Sequence, residues 1–357
     1  MSDNHEQNEE PKLASLRPIP TPENASARRR FARPIVVIML AIAILWLVMR
    51  PETEKLDVYR DVSNIRFADP ALAACVRETA TRHGWTDVGH FTGLRCNSPT
   101  GGGIRDLGGI EHFVVLRDLN LAFNEITDVA PLADLPHLQS LELSHNNIAT
   151  LPQLVSANSL VSLELNYNRL DSMAWLETLR FPVLEDLAVA HNRISDTAPL
   201  TSLENLRELN VRSNRIHDLT PVWQLGQLDM LDAGGNYVSD VSGIESLKRL
   251  RRLFLDRNRI TTVNDFGFLE ELERLDIGYN ALESISGLST AVRLRRLDLR
   301  HTGIHDLDLI YSLAEIEHLD ISGNPELECA SIQQAILEFG QDAVMFDQSC
   351  ELASELR

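Results

Sequence analysis

The chain has 357 residues, 44% hydrophobic and 24% charged, which is enough apolar material for a large core and too balanced a composition for a disordered polymer. Its 33 basic and 52 acidic side chains leave a formal net charge of −19. A surface of that sign repels phosphate backbones, so nucleic acid is set aside as a partner.

Residues 1–30 are polar, proline-containing and aperiodic, and read as a disordered cytoplasmic tail. Residues 31–50 read as one transmembrane helix built on the unbroken apolar run Ile35 to Met49. That run is short against the usual ~20 residues, but Arg33 and Arg50 extend it by snorkelling and Trp46 suits an interface. A cleavable signal peptide fits less well, because its leading segment would exceed ~30 residues and no small-residue cleavage site follows Met49. Arg28, Arg29, Arg30 and Arg33 precede the run and Arg50 alone follows it directly, a bias that puts the N-terminus in the cytoplasm and the rest in the periplasm or outside the cell. Lys55, Arg60 and Arg66 reduce that bias over a longer window. Residues 51–64 read as a linker.

Residues 65–115 read as an N-terminal cap and a degenerate first coil. Asp69 suits a helix N-cap, Pro70 the first turn and Gly84 the stop, with Leu72, Cys75 and Val76 as the apolar face. Phe91 to Cys96 follow, with Cys96 in an inward position.

From residue 116 to 324 the chain cycles through the frame L-x-x-L-x-L-x-x-N-x-[IL]. Frames begin at Leu116, Leu138, Leu160, Leu184, Leu206, Leu228, Leu250, Leu272, Leu294 and Ile316; the spacing is 22 residues except once, where Arg180, Phe181 and Pro182 are absorbed. Positions one, four and six are apolar and alternate with outward positions three and five, the period of a strand. Position nine is Asn124, Asn146, Asn168, Asn192, Asn214, Asn236, Asn258, Asn280 and Asn324, amides suited to bonding backbone between coils; Thr302 interrupts the series. The other half of each coil, D-[LV]-x-[PG]-L-x-x-L, suits a 3₁₀ turn, with Asp128, Asp196, Asp218, Asp240 and Asp306 placed to cap it.

Residues 325–357 read as the C-terminal cap, with a helix from about Ala330 to Phe339, a stop at Gly340 and a last strand over 343–346. The four cysteines form two local pairs, Cys75/Cys96 and Cys329/Cys350, flanking a cysteine-free array. Of three possible connectivities only the local one avoids bridging that array, and it implies an oxidising compartment.

The frame resembles the leucine-rich-repeat superfamily, in the 22-residue class of bacterial internalins. The resemblance implies an α/β-type leucine-rich-repeat solenoid, a horseshoe with a parallel β-sheet on its concave face, short 3₁₀ turns on the convex face and helical caps. It also implies protein binding as the activity.

Position five (Asn120, Glu142, Glu164 and onward) and position eight (Phe123, His145, Tyr167, His191 and onward) then form exposed columns on the concave face. Phe123, Glu142, His145, Glu164, Tyr167 and His191 make an aromatic and acidic strip, the candidate partner-binding surface, since exposed aromatics are enriched in interface cores. Later coils interleave Arg252, Arg274 and Arg296 with Asp276, Asp298 and Asp320, which reads as lateral charge pairing. Glu142 and Glu164 stand a strand apart, but an open sheet offers no pocket to raise either pKa, and His145, His191 and His301 have no metal-ligand spacing. The expectation is a membrane-anchored module that binds a protein partner in the cell envelope, not an enzyme, with no catalytic residues, metal or cofactor. The alternative is an envelope structural or adhesive protein that binds a glycan, polysaccharide or peptidoglycan.

Overall fold

A computed structural model of the chain describes residues 61–97, 103–151, 154–264, 266–348 and 350, all within the compact unit Asp57–Arg357. The tail 1–30, the apolar run in 31–50 and most of the linker 51–64 lie outside the described residues. Among the described residues no helix is long and apolar enough to cross a membrane.

Twelve short strands form one sheet in strict chain order, every neighbouring pair parallel. They are β1 (Gly93–Arg95), β2 (Asp118–Asn120), β3 (Ser140–Glu142), β4 (Ser162–Glu164), β5 (Asp186–Ala188), β6 (Glu208–Asn210), β7 (Met230–Asp232), β8 (Arg252–Phe254), β9 (Arg274–Asp276), β10 (Arg296–Asp298), β11 (His318–Asp320) and β12 (Val344–Met345). Strands β2 to β11 hold positions three to five of the ten frames. Equal positions face each other, so Leu119 pairs with Leu141 and Leu141 with Leu163. The fourth-position leucines are buried on every coil, stacked on those before and after. Removing each from water contributes on the order of 1.5–3 kcal/mol, and this repeated burial holds such short strands in line.

The asparagine ladder locks the register. Asn146 donates from Nδ2 to the carbonyls of Leu121 in the preceding coil and Leu143 in its own, at 3.0 and 2.9 Å, while its Oδ1 accepts from the Ile126 N–H. The same pattern recurs at other coils, as at Asn214 and Asn280, whereas the Asn324 Oδ1 accepts from the Thr302 and Gly303 N–H groups. At the interruption the Thr302 hydroxyl donates to the Leu299 carbonyl within its own coil, and the Leu282 N–H turns to the Thr302 carbonyl. One threonine thus replaces part of what the amide would do.

The connections return through 3₁₀ turns in most coils. Asp128, Asp196, Asp218 and Asp240 accept from the N–H two residues on, at 2.7–2.9 Å. These bonds lead into the turns from one residue outside the N-cap at Asp128, Asp196 and Asp218, so the aspartates form Asx turns there instead of sitting at the cap itself. The coil that absorbs the extra residues forms one α-helical turn, α2 (Trp175–Thr178), where the pattern suggested a 3₁₀ turn.

The ends are capped as the pattern suggests. Helix α1 (Pro70–His83) starts at Asp69, whose carboxylate accepts from the Ala71 N–H at 2.7 Å, and stops at Gly84 with φ of 69°. Only a residue without Cβ takes that left-handed turn cheaply. Residues 61–64, read from sequence as linker, instead belong to this cap: Asp61 bridges Asp87 and Val62 is buried. Helix α3 (Cys329–Phe339) ends at Gly340, and β12 covers β11. Cys75–Cys96 joins α1 to the first coil and Cys329–Cys350 joins α3 to the tail, with Cα separations of 5.7 and 5.5 Å.

Candidate functional site

The eighth position of every frame has positive φ, between 50° and 72°. After three strand residues the chain must turn sharply so that the ninth-position amide enters the core, and left-handed backbone at the eighth residue makes that turn. Eight of these ten residues are not glycine, and each pays on the order of 1–2 kcal/mol for the conformation. The sequence-based placement of Phe123, His145, Tyr167 and His191 on the strands is therefore corrected: they stand at the rim, where the chain leaves the sheet.

At that rim the four rings stack. Phe123 and His145 lie 4.2 Å apart between centroids, His145 and Tyr167 4.2 Å, and Tyr167 and His191 4.0 Å, all within 11° of parallel. The contact between neighbours offsets part of the backbone cost. Phe123 and Tyr167 are still 45% and 46% exposed, so the stack shows its edges to solvent. His191 titrates below its ordinary value, because burial, then the nearby Arg212 and to a lesser degree His145, disfavour its charge against the opposing Asp232. A second, shorter stack sets the Arg257 guanidinium over Tyr279 at 4.2 Å and Tyr279 against His301 at 4.6 Å.

Beside the first stack, Glu142 and Glu164 face each other in register on β3 and β4. Both are half-buried, and the Glu142 carboxylate already accepts from the Ser144 N–H. Glu164 is pushed up to about 7, first by burial, then by a hydrogen bond and like charge from Glu142, and by Asp186. The expectation that an open sheet has no pocket to raise a carboxylate's pKa is thus corrected at Glu164. Partial burial beside an in-register acid disfavours the Glu164 charge on this open face. Glu142 and Glu164 line a shallow cleft of about 470 Å³ closed on one side by Thr79, Arg82 and His83 of α1.

The late arginines do not pair as the sequence suggested. Asp298 and Asp320 bond Arg300, at 2.6 and 3.4 Å. Arg252 instead reaches Glu208 and Asp229, and Arg274 lies over the Phe254 ring. Asp276 is left raised to about 6 by burial and by the Asp298 and Asp256 charges, against the Gly278 N–H and Arg300. The seventh column, unnoticed in the sequence, carries further ion pairs. Arg212 crosses the intervening coil to hold Asp256 at 2.8 and 2.6 Å, and also bonds Asp232 at 3.1 Å. It passes over Gly234, where a Cβ would meet its guanidinium. A glycine between an arginine and an aspartate at one frame position was the readable signal. Among the described residues no group of three or more histidine, cysteine, aspartate or glutamate side chains could hold a metal ion.

Leucine rich repeat family models match residues 248–304, 202–219 and, as two copies, 114–156. The fold is similar to that of an internalin (inlF) from Listeria monocytogenes, at 22% identity over 84% of this chain and 96% of that one, with a TM-score of 0.68. A leucine-rich-repeat protein of Leptospira interrogans aligns at 26% identity over 67% of this chain and 62% of that one, with a TM-score of 0.62. The plant peptide hormone receptor RGFR1 in complex with RGF2 aligns at 18% identity over 71% and 46%, with a TM-score of 0.53. Comparison with curated protein sequences gives no match.

Proposed function

We propose that this leucine-rich-repeat chain is an interaction module, anchored in a membrane by residues 31–50, that binds a protein partner in the cell envelope along the Phe123–His191 strip. The observation that carries this reading is the exposed stack of Phe123, His145, Tyr167 and His191, held rigid at the rim by the hydrogen-bonded coils beneath it. Rings fixed before binding lose little conformational freedom on contact, which is what an anchor residue needs. Glu142 and Glu164 would add a charged edge to the same strip. Similarity in fold to a receptor solved in complex with RGF2 supports protein binding as the activity.

Polysaccharide or peptidoglycan binding fits this strip less well. The rings occupy one another's faces, so the flat surfaces on which a sugar would stack are free only at the two ends of the column. The two disulfides support placement of the repeats in an oxidising compartment, with the N-terminus in the cytoplasm. Combined replacement of Phe123, Tyr167 and His191 by alanine should weaken capture of a protein partner by at least about tenfold, the loss of one or two anchor contacts. Capture unchanged by those substitutions, in a variant that melts like the parent, would refute the strip as the contact surface.

A further inference from the structure

Two residues beyond the stacked rings, the tenth position of the frame reads Arg169, Arg193, Arg215, Tyr237 and Arg259 over five consecutive coils. Their backbone is held in single file. The Arg169, Arg193, Arg215, Tyr237 and Arg259 N–H groups each donate to the carbonyl at the eleventh position of the coil before, at 2.8–2.9 Å. All five side chains are exposed. Among the described residues no carboxylate lies within ion-pair distance of these four arginines, whereas Arg207, Arg212, Arg251 and Arg252 nearby each have one. The aspartates that follow Arg193 and Arg215 are engaged otherwise: Asp196 and Asp218 accept from the Ala198 and Thr220 N–H groups. Tyr237 is fixed in the file by His217, 5.1 Å away, and by the Arg259 guanidinium, 4.8 Å above its ring.

We propose that this arginine file is a second docking surface, distinct from the aromatic strip, and that it takes an extended acidic segment of a protein. Unpaired guanidiniums in register fork onto carboxylates two bonds at a time, which favours carboxylate-bearing ligands. The file spans four coil steps of ~4.8 Å, roughly 19 Å, which an extended peptide of about six residues covers. Its length also selects the ligand. The file ends at Asn147 on one side and Ala281 on the other, on a chain with a net charge of −19. A long polyanion would overrun it onto acidic surface, while a short acidic segment would not.

Fluorescence anisotropy tests this with the full chain in non-ionic detergent and a labelled peptide of alternating glutamate and serine, compared with its glutamine counterpart. The glutamate peptide should bind more tightly and lose affinity with added salt. R169E/R193E/R215E should weaken binding by about tenfold or more, the sum of several exposed ion pairs, and the matching lysine variant should fall between because an ammonium cannot fork. Loss of Phe123 and Tyr167 should leave this binding unchanged, so failure of the aromatic strip and failure of the arginine file are separately visible. Equal binding of the two peptides by the unaltered chain overturns the proposal whether or not any variant folds. So does an unchanged affinity in the charge-reversed chain, or tighter binding of polygalacturonate than of the peptide.

Discussion

Glu164 has an ordinary carboxylate pKa of 4.5 and stands at about 7 in the folded chain. Folding therefore favours its protonated form. The stability that goes with that form is fully present below the unfolded value and is lost as pH rises through the folded one. Asp69 works in the opposite direction: burial raises it, but N–H donors from Arg105, Ala71, Asp106 and Leu72 outweigh burial and hold it below 3.8. Its contribution is lost only in stronger acid, so between about pH 5 and pH 8 the loss comes from raised acids such as Glu164 and Asp276 and not from Asp69. Glu164→Gln imitates the neutral form, so the drop in urea midpoint from about pH 5 to about pH 8 should shrink in this variant. A drop as large as in the parent would show that Glu164 protonation does not couple to folding. The sequence showed that Glu142 and Glu164 are neighbours, since both sit at one frame position. It could not show that no cation intervenes, because the arginines that neutralise other acids reach them from other coils.

Each coil is a strand, a left-handed corner and a turn, and single atoms decide how closely neighbouring coils approach. The turn slot that holds proline in some coils holds glycine at 287, where a Cβ would overlap the Val263 carbonyl oxygen of the coil before. Gly287→Ala should cost about 1–3 kcal/mol, the usual penalty of forcing apart a packed contact, read as a lowered thermal midpoint. Gly226→Ala is the control, since nothing lies within 4 Å of its added Cβ. Equal melting of the two variants would mean that the coils have slack at Gly287. The turn pattern D-[LV]-x-[PG]-L made this slot visible as a turn, but equated proline with glycine. Only the spacing of adjacent coils separates a residue needed for its fixed φ from one needed for its missing side chain.

In the whole molecule, strand pairing runs from each coil to the next, so the two end coils depend on their caps for protection of the apolar edge. Each cap is pinned by a disulfide whose cysteines are 21 positions apart, a closure contributing on the order of 3 kcal/mol. If the repeats reside in the envelope, all four cysteines of the chain isolated from cells should resist thiol reagents until reduced, and protease should reach the repeats once the outer barrier is opened. A protected repeat unit with four reactive thiols would move the module into a reducing compartment and remove the envelope from the proposed function.

The sequence by itself determined the repeat unit, the number of its coils, the inward leucines, the asparagine ladder, both caps and both cysteine pairs. Those features are local: each follows from a residue's position in a frame of 22 and from the period of a strand. Tertiary structure decided what happens between frames. Left-handed corners carry the eighth-position rings off the sheet and into a stack, and Arg212 finds Asp256 two coils away across a glycine. Beside Arg193 and Arg215 the following acids, Asp196 and Asp218, are turned to backbone N–H groups. Periodicity places residues in columns, but the direction of a side chain within its column depends on backbone angles and on neighbours that only the assembled coils supply.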